Sequence, residues 1–98
     1  MKVHWTDRAK QRLKRIHDHI AKDSPFVAPR VIERIVRRSI QIGDAPYSGR
    51  EVPDYRDQHL RELLERPYRI LYRIREDRID VITVMHYRQL LPSDLTEQ

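Results

Sequence analysis

The sequence predicts an α+β fold: an N-terminal strand, an antiparallel two-helix hairpin, and an antiparallel sheet completed by three C-terminal strands, with the helices on one sheet face. Three patterns carry this reading. Apolar residues recur at helical spacing between Ala9 and Ile42 and alternate with charge from Tyr68 onward. The stretch Pro67–Arg88 reads as a β-hairpin, and a hairpin is unstable without further strands and a cover.

The first strand is short. Val3 and Trp5 alternate with Lys2 and His4. Thr6 then has the chemistry of a helix N-cap, with Asp7 in the first turn where the helix dipole favours a carboxylate. Ala9, Leu13, Ile16 and Ile20 form one apolar stripe, opposite Lys10, Arg12, Lys14 and Arg15, and this helix is expected to end near Lys22. Ser24-Pro25 reads as a cap followed by proline at the first helical position, and Val31, Ile32, Ile35, Val36, Ser39 and Ile42 form the second stripe. Pro29 conflicts with a regular helix from Pro25, so either the first turn is distorted or the helix starts nearer Pro29. Gly43 ends it.

Pro46 to Asp57 is expected to be a polar loop, the most mobile part of the chain. Gln58–Glu65 reads as a strand joined through Arg66-Pro67 to the hairpin. In the hairpin, Tyr68, Ile70, Tyr72 and Ile74 share one face and Arg69, Leu71, Arg73 and Arg75 the other. Val81-Ile82-Thr83-Val84-Met85 is uncharged and largely β-branched, as suits a central strand buried on both sides. A two-residue turn at Glu76-Asp77 would set Ile74 against Ile79, Tyr72 against Val81 and Arg73 against Asp80; a longer loop with Asp77 near the left-handed region fits the residues equally. Leu90-Leu91-Pro92 is apolar, and Ser93–Gln98 reads as a frayed tail.

Composition bounds the function. A chain of 98 residues is expected to form one domain, residues 1–98. With 36% charged residues and a mean hydropathy of −0.80, its core is thin and its surface heavily solvated. The absence of cysteine excludes disulfides and thiolate metal sites. With no apolar run of membrane-spanning length and no signal-peptide pattern, a cytoplasmic location is expected. A net charge of +5 points to an acidic partner, whether nucleic acid, an acidic protein segment or a ribosome. His17 and His19 diverge by about 200° on a helix and make no metal pair, so no metal or cofactor is expected. Without a helix-turn-helix pattern, sequence-specific DNA binding is not expected either. Arg69, Arg73 and Arg75 on one strand face suit either a solvated surface or a site for carboxylates.

Trp5, Ala9, Leu13, Ile16 and Ala28, the loop Pro46-Tyr47-Ser48-Gly49-Arg50, Arg61-Glu62-Leu63, Tyr68-Arg69-Ile70-Leu71-Tyr72-Arg73, and a last strand ending in His86 and Arg88 follow in a characteristic order. From about Val3 to Arg88 the chain resembles the ParE/RelE superfamily of toxins from type II toxin–antitoxin systems, most closely the ParE branch. The resemblance implies a RelE/ParE-like fold and a toxin that is neutralised by an antitoxin. For ParE-like members it implies inhibition of DNA gyrase, with a ParD-like antitoxin carrying an acidic C-terminal segment. On this reading Arg61, Arg69, Leu71, Arg73, Arg75, Tyr87 and Arg88 are the expected antitoxin- or target-binding residues. For RelE-like members the resemblance implies ribosome-dependent cleavage of messenger RNA. The arginines of that chemistry fall on Arg69 and Arg88, but its lysines fall near Leu60 and Glu62 and its tyrosine near Asp94, where the needed groups are missing. Arginine holds phosphate but does not exchange protons near neutral pH. The chain is therefore expected not to be an enzyme, with Arg69, Arg88 and His86, helped by Glu62 or Glu65, as the alternative catalytic set. A degenerate toxin that binds only its antitoxin is a third reading.

Overall fold

The computed structural model describes residues 1–53 and 55–89. Strand β1 (Lys2–Trp5) leads into helix α1 (Asp7–Ala21) and helix α2 (Val27–Asp44), followed by a 3₁₀ turn (Pro46–Ser48) and strands β2 (Arg50–Glu51), β3 (Leu60–Glu65), β4 (Tyr68–Ile74) and β5 (Arg78–His86). The α+β class and the helix-on-sheet arrangement match the sequence reading. The sheet, however, has five strands in the order β1-β5-β4-β3-β2, and β1 runs parallel to β5, so it is mixed rather than antiparallel throughout. Among the described residues no helix is long and apolar enough to cross a membrane.

Local chemistry explains most boundaries. The Thr6 hydroxyl accepts from the Ala9 N–H at 3.2 Å and donates to the Val81 carbonyl at 2.8 Å, so one side chain caps α1 and ties its start to β5. Helix α2 starts between the two expected positions. The Ser24 carbonyl, rather than its side chain, accepts from Val27 and Ala28 at 3.0 and 3.1 Å. Pro29 thereby becomes the third helical residue, where an N–H has no intrahelical partner to lose. Gly43 does not terminate α2 but lies in its last turn, because β1 crosses there: a Cβ at Gly43 would stand 2.5 Å from the Met1 carbonyl oxygen.

Two apolar clusters lie on opposite sheet faces. On the helix side Ile35 and Ile42 of α2 and Ala9 of α1 pack against Ile70, Tyr72, Ile79, Val81 and Val84. On the other side Val52, Leu60, Leu71, Ile82 and Met85 form a smaller core with Tyr55. The hairpin has the two-residue turn and the pairing expected, with Ile74 on Ile79, Tyr72 on Val81 and Arg73 on Asp80. Beyond it the register shifts: Leu71 pairs with Thr83, leaving Ile82 over as a bulge. Val81 and Val84 are an odd number of residues apart, so an uninterrupted strand would send them to opposite faces; the bulge lets both face the helices.

The segment expected to be a mobile loop is organised by Tyr72. Its buried hydroxyl donates to the Pro46 carbonyl at 2.6 Å and accepts from the Gly49 N–H at 3.0 Å. Burial raises the phenol's pKa above its usual value of 10.0, so it stays protonated and able to donate. Arg50–Glu51 can then pair with β3. Gly49 is required by closeness, since a Cβ there would meet the Tyr72 hydroxyl at 2.5 Å and the Glu62 carbonyl oxygen at 2.6 Å. Tyr72→Phe is expected to lower unfolding free energy by about 1–3 kcal/mol, because a buried N–H loses its acceptor. Urea denaturation should show a lower midpoint at unchanged slope; an unchanged midpoint would remove Tyr72 from this role.

Candidate functional site

The arginine face of β4 is the first place to look for a site, and it is occupied by the chain's own carboxylates. Arg69 Nε donates to Glu62 Oε2 at 2.7 Å, and Arg50 Nε reaches the other oxygen, Oε1, at 2.6 Å. The Glu62 side chain is fully buried. Arg73 donates to Asp57 at 2.6 Å, an interaction that lowers the Asp57 pKa below its usual 3.8. Arg75 and Arg78 donate to the two oxygens of Asp80 at 2.6 and 2.8 Å, and His4 lies 3.1 Å from that carboxylate. Burial alone would push the Asp80 carboxyl up, but hydrogen bonds from Arg78, Arg75 and His4 outweigh it and hold the group at about 2.

The sheet face opposite the helices is therefore partly closed. Val52 and Tyr55 roof its apolar centre, so that Leu71 is fully buried and Arg69 only 9% exposed. Neither presents surface to a partner in this conformation. Arg61 faces the other way: its guanidinium lies 4.8 Å from the Tyr47 ring centroid and donates to the Gly49 carbonyl at 2.9 Å. Arg75 is partly exposed, and Tyr87 and Arg88 are exposed beyond the end of β5. Arg88 Nε donates to the Tyr87 hydroxyl at 3.0 Å.

The alternative catalytic set is brought together only in part: His86 and Arg88 adjoin, and Arg69 stands apart from them. Tyr68 pairs with His86 and Arg69 with Met85, so His86 shares the helix side with Tyr68 while Arg69 points to the opposite face. The His86 ring meets Tyr68 edge-on at 6.0 Å and stacks on Tyr87 at 4.8 Å, and its Nδ1 accepts from the Arg88 N–H at 3.2 Å. Glu62 is locked on the Arg69 side. Glu65 is on the helix side, 3.8 Å from Arg34, but two strands from His86, about 10 Å at ordinary strand spacing. Asp94 lies outside the described residues, as does the tail from Leu90. Sequence reasoning missed the roles of Glu62, Asp57 and Asp80. Their signal was the number of carboxylates interspersed with the arginines between Asp57 and Asp80.

Comparison with known proteins decides the family. Residues 3–91 match the family described as the ParE toxin of type II toxin-antitoxin system, parDE. The chain belongs to the ParE toxin family. It is 40% identical over 96 residues, 96% of each chain, to a Sinorhizobium fredii protein named "Putative toxin Y4kP". Its fold is similar to a chain of the chromosomal ParDE system of P. aeruginosa, with a TM-score of 0.75, 25% identity, and 88% of this chain and 95% of that one covered. It is also similar to a chain of the RelBE2 toxin-antitoxin complex of Mycobacterium tuberculosis, at a TM-score of 0.66 and 20% identity, covering 87% and 88%. This ParE-family chain is thus a toxin of the type II toxin–antitoxin class.

Two predictions test the ion pairs. Arg69→Met should cost about 3 kcal/mol by leaving Glu62 buried with one partner fewer, whereas Arg69→Met combined with Glu62→Leu should recover most of it; chemical denaturation of both variants checks this. Asp80 has a folded pKa below its unfolded value, so its contribution is present above pH 3.8 and is lost as pH falls through about 2. The stability gap between wild type and Asp80→Asn, about 2 kcal/mol near neutrality, should close over that window. A gap independent of pH would assign Asp80 a merely steric role.

Proposed function

We propose that this ParE-family toxin acts by binding and blocking DNA gyrase, and that a ParD-like antitoxin with an acidic C-terminal segment neutralises it. The observation that carries the reading is the family match across residues 3–91. A physical argument supports the non-enzymatic half. Cleavage by a 2′-hydroxyl needs a proton acceptor and a proton donor at one phosphate. Here Arg69 and His86 stand on opposite sheet faces, and Glu62 is committed to two arginines.

Within the proposed binding set the roles divide by exposure. Arg61, Arg75, Tyr87 and Arg88 offer surface to an antitoxin or target, while Arg69, Leu71 and Arg73 hold the sheet that presents them. An acidic, amphipathic antitoxin segment complements both the net charge of +5 and exposed arginines of this kind.

A supercoiling assay with purified gyrase tests the reading: the toxin should inhibit in proportion to its concentration, and its cognate antitoxin should restore activity. Gyrase left untouched at large excess, together with new messenger RNA ends mapped after brief expression, would overturn it. Arg88→Ala should weaken antitoxin affinity and flatten its salt dependence; an unchanged salt slope would place that contact elsewhere.

A further inference from the structure

Where β4 begins and β5 ends, the strands and α1 enclose a cleft of about 520 Å³ on the helix side of the sheet. That is within the size range of ligand sites. Ile16 and Val84 line its apolar part. Arg12, Arg15 and His19, at steps of three and four along α1, face one way into it, and His86 and Arg88 come from the strand side. Among the described residues no aspartate or glutamate lines it.

The contrast with the rest of the molecule is informative. Arg50, Arg69, Arg73, Arg75 and Arg78 each hold a carboxylate of this chain. Arg12 and Arg15 hold none among the described residues. Grouping like charges around an apolar floor costs repulsion in the free protein and lowers the energy of an incoming anion. The donors come from two walls of one cleft. A tetrahedral phosphate offers oxygens in several directions and can accept from donors on both walls at once. Beside the arginines the cleft is lined by the Tyr68 and His86 rings, aromatic groups of the kind on which bases stack.

We propose that this cleft binds phosphate groups of a nucleic-acid strand, with Arg12, Arg15 and Arg88 as the principal donors. The contact carries no sequence preference, since it is made to the backbone. The proposal does not rest on the gyrase reading. Binding is measured with no gyrase present, so either can fail alone.

The test is fluorescence anisotropy of a short labelled single-stranded DNA with the purified full chain over a range of salt. Arg12→Ala with Arg15→Ala should weaken binding and lower the salt slope by about 1.4, two phosphate contacts at about 0.7 each. Arg37→Ala with Arg38→Ala removes the same charge from α2, away from the cleft, and should leave the slope unchanged. Thermal melting confirms that each variant is folded, and Arg12→Lys with Arg15→Lys, which keeps the charge, should retain most of the binding. Absence of wild-type binding, or equal losses in the two alanine pairs, overturns the proposal. In a second arm inorganic phosphate is titrated into isotope-labelled protein. Resonance shifts at Arg12 and Arg15 with both phosphate and DNA support recognition of the phosphate group; shifts with phosphate alone reassign the cleft to a small anion and overturn the nucleic-acid proposal.

Discussion

The Glu62 carboxylate, buried between Arg50 and Arg69, is the interaction on which the rest of the sheet depends. A buried charge is tolerated only when it is paired and hydrogen-bonded. Glu62 meets that condition by drawing one arginine from β2 and another from β4, so a single group ties three adjacent strands. Its neighbours extend the arrangement: Asp57 brings the loop back to Arg73, and Asp80 gathers Arg75 and Arg78 at the hairpin turn. The strand that looks from its sequence like an arginine-rich binding surface is thereby an internal framework. The apolar residues between the arginines are covered by Val52 and Tyr55.

Much of this was legible in the sequence, and the residues show why. Period-two alternation from Tyr68 to Ile74, set against Ile79, Asp80 and Val81, resists a one-residue slip of the hairpin register, which would turn the arginines toward the helices. Thr6, the two helical stripes and the central burial of β5 follow from equally local rules. What was not legible depends on contacts distant in sequence. Parallel pairing of β1 with β5 joins residues more than seventy positions apart and leaves no mark in either strand. Strand β2 exists because Tyr72 holds Pro46 and Gly49, a link no window of local sequence contains.

The candidate site was harder to read for a related reason. Arg69, His86 and Arg88 can be grouped on paper because all sit near the ends of hairpin strands. The Ile82 bulge changes the parity of β5, placing His86 with Val84 and Tyr68 on the helix side. One inserted residue thus separates a histidine from the arginine that a shared chemistry would need. The same displacement puts His86 and Arg88 beside the basic face of α1, giving the molecule a second cationic region independent of the carboxylate-bound one.

We infer that the β4 arginines act through the fold and not on a substrate. Growth arrest on induced expression tests it most directly, comparing wild type with the paired replacement of Glu62 by leucine and Arg69 by methionine, each checked for folding in extracts. The paired variant is expected to fold and still halt growth. A folded paired variant that no longer halts growth would contradict it, because Arg69 would then have to act on the target itself.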